Sequence, residues 1–262
     1  MQRRRSLSRN GGLLHGASAA AVVLGLLLAT DLAFVVVHIV DTQTGYISNP
    51  LNSLARDRGY AEFFQYTKLY WLVLLTGLLA LRERVPVHAG WLVVFAYVLA
   101  DDAFSLHERG GTHVAATLGL RPVLGLRAQA LGELVIMAVA GSATLGLLAL
   151  GYWRSDRPGR VFTHGLARLL MALAFFAVGV DAIHEAVRRT FADAVFEVLE
   201  DGGEMIVVSL MTWTVFRRVA GVDHVAEVAG IPLGNLALSP AVRTAAPPHP
   251  VAEPTAPVSS AG

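Results

Sequence analysis

The sequence predicts an all-α fold, a polytopic membrane helix bundle of six transmembrane helices with both termini in the cytoplasm. Three observations carry this. Of 262 residues, 54% are hydrophobic and 16% charged, and the mean hydropathy is +0.54, far from the balance of soluble domains. The apolar residues fall in runs near the roughly 20 residues that cross a hydrocarbon core. Those runs lack the alternation of outer-membrane strands, which leaves helices as the spanning structure.

The elements follow in order. Residues 1–12 are a basic segment, with Arg3, Arg4, Arg5 and Arg9 ahead of an apolar run over 13–40. That run exceeds the roughly 7–15 residues of a signal-peptide core and no small-residue cleavage site closes it, so it reads as a retained first span. Five further spans are expected at 63–81, 87–108, 128–153, 166–187 and 194–216, giving a transmembrane domain over 13–218. Gly110-Gly111 is expected to stop the third span sharply. The segments 41–61 and 109–127 are expected as loops folded over one mouth of the bundle. Residues 219–262 hold Pro247, Pro248, Pro250, Pro254 and Pro257 among Ala, Ser and Thr, the composition of a flexible cytoplasmic tail.

Orientation follows from basic residues. Arg82, Arg84, Arg154, Arg157, Arg160, Arg217 and Arg218 join the N-terminal arginines on one side. Arg56, Arg58, Arg109, Arg121, Arg127, Arg188 and Arg189 fall on the other. The excess places both termini in the cytoplasm of a bacterial inner membrane. Odd helices then run outward and even helices inward, which sets the ionisable residues at one depth near the outer face.

Those residues are costly, at roughly 2.5–3.5 kcal/mol per charge at a helix centre. The third span ends in Asp101, Asp102, His107 and Glu108, and the fifth in Asp181, His184 and Glu185. The sixth opens with a stripe of Glu197, Glu200, Asp201 and Glu204, and the fourth carries Glu133. Asp31 and His38 lie in the outer half of the first span, while Glu62 and Lys68 open the second. On a continuous helix Asp101, Ser105 and Glu108 share a face, as do Asp181, His184 and Glu185.

Acids outnumber Lys68, His38, His107 and His184, and a bound cation would keep such carboxylates ionised. Carboxylates and carboxylate-x-x-His pairs on facing helices are how bundles hold paired metals, and three imidazoles can hold zinc with a position open for water. The candidate metal ligands are Asp101, Asp102, His107, Asp181, His184, Glu185, Glu200 and Asp201. Glu108, Glu133 and Glu204 are candidates for catalytic work, and His38, Asp31, Glu62, Lys68 and Glu197 complete the set.

Three readings follow. A zinc-bound water could hydrolyse a lipid-like ester or amide entering from the bilayer, whereas iron or manganese would suit oxidation. The same acids could instead form a proton or cation pathway, although the apolar inner halves of spans three to six favour a one-sided pocket. A structural protein would pair the acids with Lys68, Arg109, Arg188 and Arg189 to hold loops and a partner. The absence of cysteine excludes disulfides and thiolate ligands. The net charge of +1, with its arginines spread over helix ends, argues against nucleic acid.

The segment Leu54-Ala55-Arg56-Asp57-Arg58-Gly59-Tyr60-Ala61-Glu62-Phe63-Phe64-Gln65-Tyr66-Thr67-Lys68, the pairs Asp101-Asp102 and His107-Glu108, and Leu199-Glu200-Asp201-Gly202-Gly203-Glu204-Met205 together resemble a group of uncharacterised bacterial multi-pass membrane proteins. That group shows an acidic pair followed by His-Glu in one span and Glu-Glu-x-x-Glu-Met in another. Here Asp102 and Asp201 stand where Glu is expected, keeping charge and shortening reach. The resemblance implies a shared polar site and supplies no activity. A looser likeness is to alkaline ceramidase and adiponectin-receptor membrane hydrolases, which hold zinc in a seven-helix bundle; this chain lacks their His-x-x-x-His spacing.

Overall fold

A computed structural model of the chain describes residues 2–44, 49–123, 127–180, 183–184 and 193–222, with side chains from residue 17 onward. The expected tail beyond 222, and Asp181, Glu185, Arg188 and Arg189, lie outside the described residues. Among those described, seven α-helices follow one another: α1 (Gln2–Thr44), α2 (Tyr60–Glu83), α3 (Pro86–Phe104), α4 (Leu106–Leu118), α5 (Ala128–Trp153), α6 (Arg157–Ala174) and α7 (Asp193–Val219). A 3₁₀ turn spans Pro50–Asn52, and a π-helical turn at Phe175–Val180 prolongs α6.

Five segments are long and apolar enough to cross a membrane: Ala17–Thr44, Tyr60–Glu83, Pro86–Phe104, Ala128–Trp153 and Arg157–Val180. The expected sixth span coincides with α7 but is not among them, and its first half carries the acidic stripe. Large apolar side chains lie on the outside, and some charged ones lie inside. Leu81 is 79% exposed while Lys68 is fully buried, an arrangement that suits a lipid surround and a polar interior.

The helix ends show why the chain turns where it does. Arg84 takes a left-handed conformation after α2, and Pro86 opens α3 with its fixed φ. Asp156 caps α6 by accepting the Gly159 N–H at 3.0 Å. α3 lies against α5 at two glycines: a Cβ on Gly90 would come 2.9 Å from Leu148 Cα, and one on Gly151 2.9 Å from the Pro86 carbonyl. The main core fills the space among α2, α3, α6 and α7 with Leu72, Leu79, Trp91, Phe95, Leu166 and Met211.

The third span is shorter than expected. Ser105 adopts φ 49°, so the helix expected to reach 108 stops at Phe104. Asp101 secures the break, its Oδ1 accepting the His107 N–H at 2.9 Å, one of the orphan donors at the start of α4. Glu108 therefore leaves the face that carries Asp101. Most of the expected loop over 109–127 is the helix α4 instead. Gly110 and Gly111 lie inside α4 and do not stop a helix. A Cβ on Gly132 would strike the Gly111 carbonyl, so these small residues serve the backbone contact of α4 on α5.

Candidate functional site

The start of α2, the end of α3 and the start of α7 meet at one end of the bundle beneath the segment 49–59. That roof is tied down from several sides. His38 Nδ1 accepts the Leu54 N–H at 3.2 Å, and the Ser53 hydroxyl donates to Glu197 Oε1 at 3.4 Å. Leu54 is buried with Ala61 and Met205. Glu62 receives both the Arg58 N–H and the Tyr66 hydroxyl, so α2 and the roof share a carboxylate.

Under the roof lie two chambers. The inner one, about 190 Å³, is walled by Glu62, Gln65, Asp102, Asp201, Glu204 and Met205, with Arg56 and Asp57 above. The outer one, about 640 Å³, shares Arg56, Asp57, Glu62 and Asp102 and adds Arg58, Tyr66, His107, Glu108 and Arg109. Four helical carboxylates from α2, α3 and α7 thus converge on the inner chamber. Gln65 also lines it, and the Oε1 of that side chain is shut away from solvent without a hydrogen-bond partner.

Met205 links this wall to a network deeper in the bundle. Its carbonyl accepts a hydrogen bond from Lys68 Nζ at 2.8 Å. The same ammonium donates to Asp31 Oδ1 at 2.9 Å and to Ser209 Oγ at 3.2 Å, and the Ser209 hydroxyl donates to Asp31 Oδ2 at 2.5 Å. Lys68 is fully buried and Asp31 nearly so. Three helices, α1, α2 and α7, each supply one member of this ion pair and its hydroxyl bridge.

Buried polar groups continue toward the opposite end, where apolar helix halves were expected. Thr76 and Thr212 are buried in α2 and α7. Beyond them Arg218 Nη2 reaches Glu83 Oε2 at 2.9 Å, and the fully buried His88 lies 3.8 Å from the same carboxylate oxygen. Both threonine hydroxyls donate to carbonyls one turn back, which satisfies them within the apolar core.

The remaining candidates separate into local pairs. Asp101 Oδ2 meets His107 Nδ1 at 3.0 Å, which fixes the ring of a residue that lines the outer chamber. His184 is spanned by Glu200 at 2.7 Å on Nδ1 and Asp193 at 3.0 Å on Nε2. Partial burial opposes charging of His184, but these two carboxylates outweigh it and raise its pKa above the usual histidine value. His38, besides holding the roof, lies 3.9 Å from Glu197. Glu133 accepts from Gln129 at 2.8 Å on α5, where Gly111 packs against it, and lines neither chamber. Among the described residues no group of three or more His, Asp or Glu is arranged to hold a metal ion.

Sequence reasoning did not single out Ser209 or the carbonyl of Met205, because one serine in an apolar helix carries no signal without its partners. Arg56 counted toward orientation, and Asp57 only as part of the stretch that carries the resemblance; neither was singled out for the site. Gly203 accepts the Phe176 ring of the π-helical turn, where a Cβ would collide with it, so this glycine fixes the start of α7 against the end of α6.

A family model described as a domain of unknown function (DUF8692) matches residues 16–220, and the chain belongs to that family. No curated protein matches, and no solved structure does.

Proposed function

For a chain whose family carries no assigned activity, we propose a membrane protein of six spans, α7 being the sixth, with both termini cytoplasmic and the two chambers at the outer face. It binds a cation there and couples that binding to transport. One observation carries the reading: the wall of an acidic chamber is hydrogen-bonded, through Met205, to a solvent-free Lys68–Asp31 pair. Ionisable groups inside a bundle mark ion pathways by default. A cation entering the chamber raises the local positive potential and weakens the hold of the bundle on the Lys68 ammonium, which gives binding a lever on helices α1, α2 and α7. The buried Thr76, Thr212, His88 and Glu83–Arg218 groups offer polar positions in the other half.

Reconstituted protein in vesicles holding a pH-sensitive dye tests this. Imposed proton and sodium gradients should dissipate faster than in empty vesicles, and at least tenfold more slowly with Lys68→Met or Asp201→Asn than with the unaltered chain. Flux equal in all three, with helicity retained, would sink the reading.

A metal-dependent hydrolase is the second reading, and the Asp101–His107 pair favours it. A carboxylate on one ring nitrogen sets the tautomer and leaves the other to ligate a metal. His184 has both nitrogens engaged by carboxylates, so His107 is the ligand this reading depends on. Elemental analysis of detergent-purified protein should then find zinc, iron or manganese that His107→Ala removes.

A further inference from the structure

We propose that the outward side of α6 binds an anionic phospholipid, with its phosphate on the basic first half of the helix and an acyl chain along the apolar second half. The site lies at the end of the bundle away from the chambers. There the Trp91 Nε1–H donates to the Thr163 hydroxyl at 3.3 Å and ties the start of α6 to the start of α3. The proposal is independent of the cation reading and needs only that α6 crosses the bilayer, for which it is long and apolar enough.

Spacing sets the face. Arg157, Val161, His164, Arg168 and Met171 recur at intervals of three and four, so they share one side of α6, with Arg160 beside them. All six are exposed, while Phe162, Thr163 and Leu166 on the other side are buried. The exposed line changes character along its length. It is cationic as far as Arg168; beyond that, Met171 is 71% exposed, and Phe175 and Val178 of the π-helical turn are 58% exposed each. From Arg157 to Arg168 is about 16 Å of helix, which carries Arg168 well inside the segment Arg157–Val180. A charge at that depth is costly unless it is paired, and arginine does not shed its proton.

Among the described residues the protein supplies no such partner. Arg154, Arg157 and Arg168 are in no ion pair, and Arg160 donates to the Ser155 and Trp153 carbonyls. The described acids at this end are already engaged, Asp156 by the Gly159 N–H it caps and Glu83 by Arg218. Cations therefore prevail on this surface. Tyr152 at the end of α5 holds it together: its hydroxyl lies 2.9 Å from His164 Nε2, and the Arg160 guanidinium stands 5.4 Å from its ring centre. Guanidinium forks match phosphate oxygens, and long arginine stems lie on apolar surface while their heads reach toward the headgroups. Basic clusters at the ends of spans bind anionic lipid in this way. A zwitterionic lipid offers a phosphate already balanced by its own cation. A soluble anion fills the basic half alone, whereas a phospholipid fills both halves.

Native mass spectrometry of the full chain, released from micelles holding equal phosphatidylglycerol and phosphatidylcholine with the same acyl chains, tests this. The unaltered chain should retain phosphatidylglycerol at least fivefold over phosphatidylcholine. Arg157→Gln combined with Arg168→Gln should remove that excess, and Arg157→Lys combined with Arg168→Lys should keep most of it. Arg82→Gln, which removes a charge at the same end from α2, should leave it unchanged, and the melting temperature of each variant checks that it folds. Excess glycerol 3-phosphate should not displace the lipid. Equal retention of the two lipids by the unaltered chain overturns the proposal whatever the variants do. An excess that survives in the folded glutamine pair, or falls as far with Arg82→Gln, removes it from this face of α6. Displacement by glycerol 3-phosphate makes the face a site for a soluble anion and overturns the lipid assignment.

Discussion

Lys68 Nζ lies 2.9 Å from Asp31 Oδ1 with both side chains shut away from solvent, so an ammonium of α2 and a carboxylate of α1 are held at the heart of the bundle. Such a pair contributes little net stability against an apolar replacement, yet breaking it strands a charge. Lys68→Ala is expected to cost about 3–5 kcal/mol. Lys68→Met combined with Asp31→Leu should cost less than the sum of the two single changes, because the double variant leaves no lone charge. Unfolding midpoints in detergent measure this, and additive costs would mean that the two groups are not coupled.

Gly132 and Gly111 set a second expectation. With the Gly111 carbonyl where a Cβ of residue 132 would be, Gly132→Ala forces α4 off α5 and should destabilise by about 1–3 kcal/mol, the usual cost of overpacking. Gly141→Ala on the same helix meets nothing within 4 Å and should be neutral or stabilising by up to about 1 kcal/mol through helix propensity. Thermal unfolding of both variants decides, and equal effects would place no close contact at Gly132.

His184 gives a pH dependence. Its folded pKa is raised by Glu200 and Asp193 against the opposing effect of burial, while the unfolded value is near 6.5. Protonation therefore favours the folded state: the contribution is fully present below about pH 6.5 and is lost as pH rises through the elevated folded value. His184→Gln should flatten the stability profile across that alkaline limb and lower stability at pH 5.5. Unfolding midpoints at several pH values check this, and a variant that keeps the alkaline decline would assign it to another group.

The helical class and the rough positions of the long helices were legible because apolar runs of fixed length mark segments able to cross a membrane, although α6 begins at Arg157, well before the expected 166. Glu62, Asp102, Asp201 and Glu204, all singled out by charge, are among the residues on the inner wall. The break at Ser105 was not legible, since a serine in a left-handed conformation carries no glycine or proline signal and the capping carboxylate, Asp101, reads equally well as a ligand. Gly110-Gly111 misled for a related reason: a helix stop and a close helix contact both ask for a missing side chain, and only the facing Gly132 distinguishes them. Lys68 was expected among the partners of the acids, and which acid it meets depended on the packing of α1 against α7, which no local pattern encodes.

Asp101 offers the sharpest separation of two roles in one side chain. One oxygen accepts the His107 N–H and the other meets the His107 ring, so the residue both starts α4 and orients an imidazole beside the outer chamber. Asparagine accepts the backbone N–H nearly as well as aspartate, whereas alanine loses the cap at a cost of about 0.5–2 kcal/mol. Asp101→Asn should therefore keep the stability of the protein and the slow amide exchange of His107, while Asp101→Ala loses both. Only the aspartate can pair with a protonated ring, so activity or metal content that falls in both variants alike belongs to the orientation of His107. A fall confined to Asp101→Ala belongs to the helix start. Hydrogen exchange at the His107 amide, read beside either activity, separates the two, and an amide that exchanges equally slowly in all three proteins would remove Asp101 from the cap.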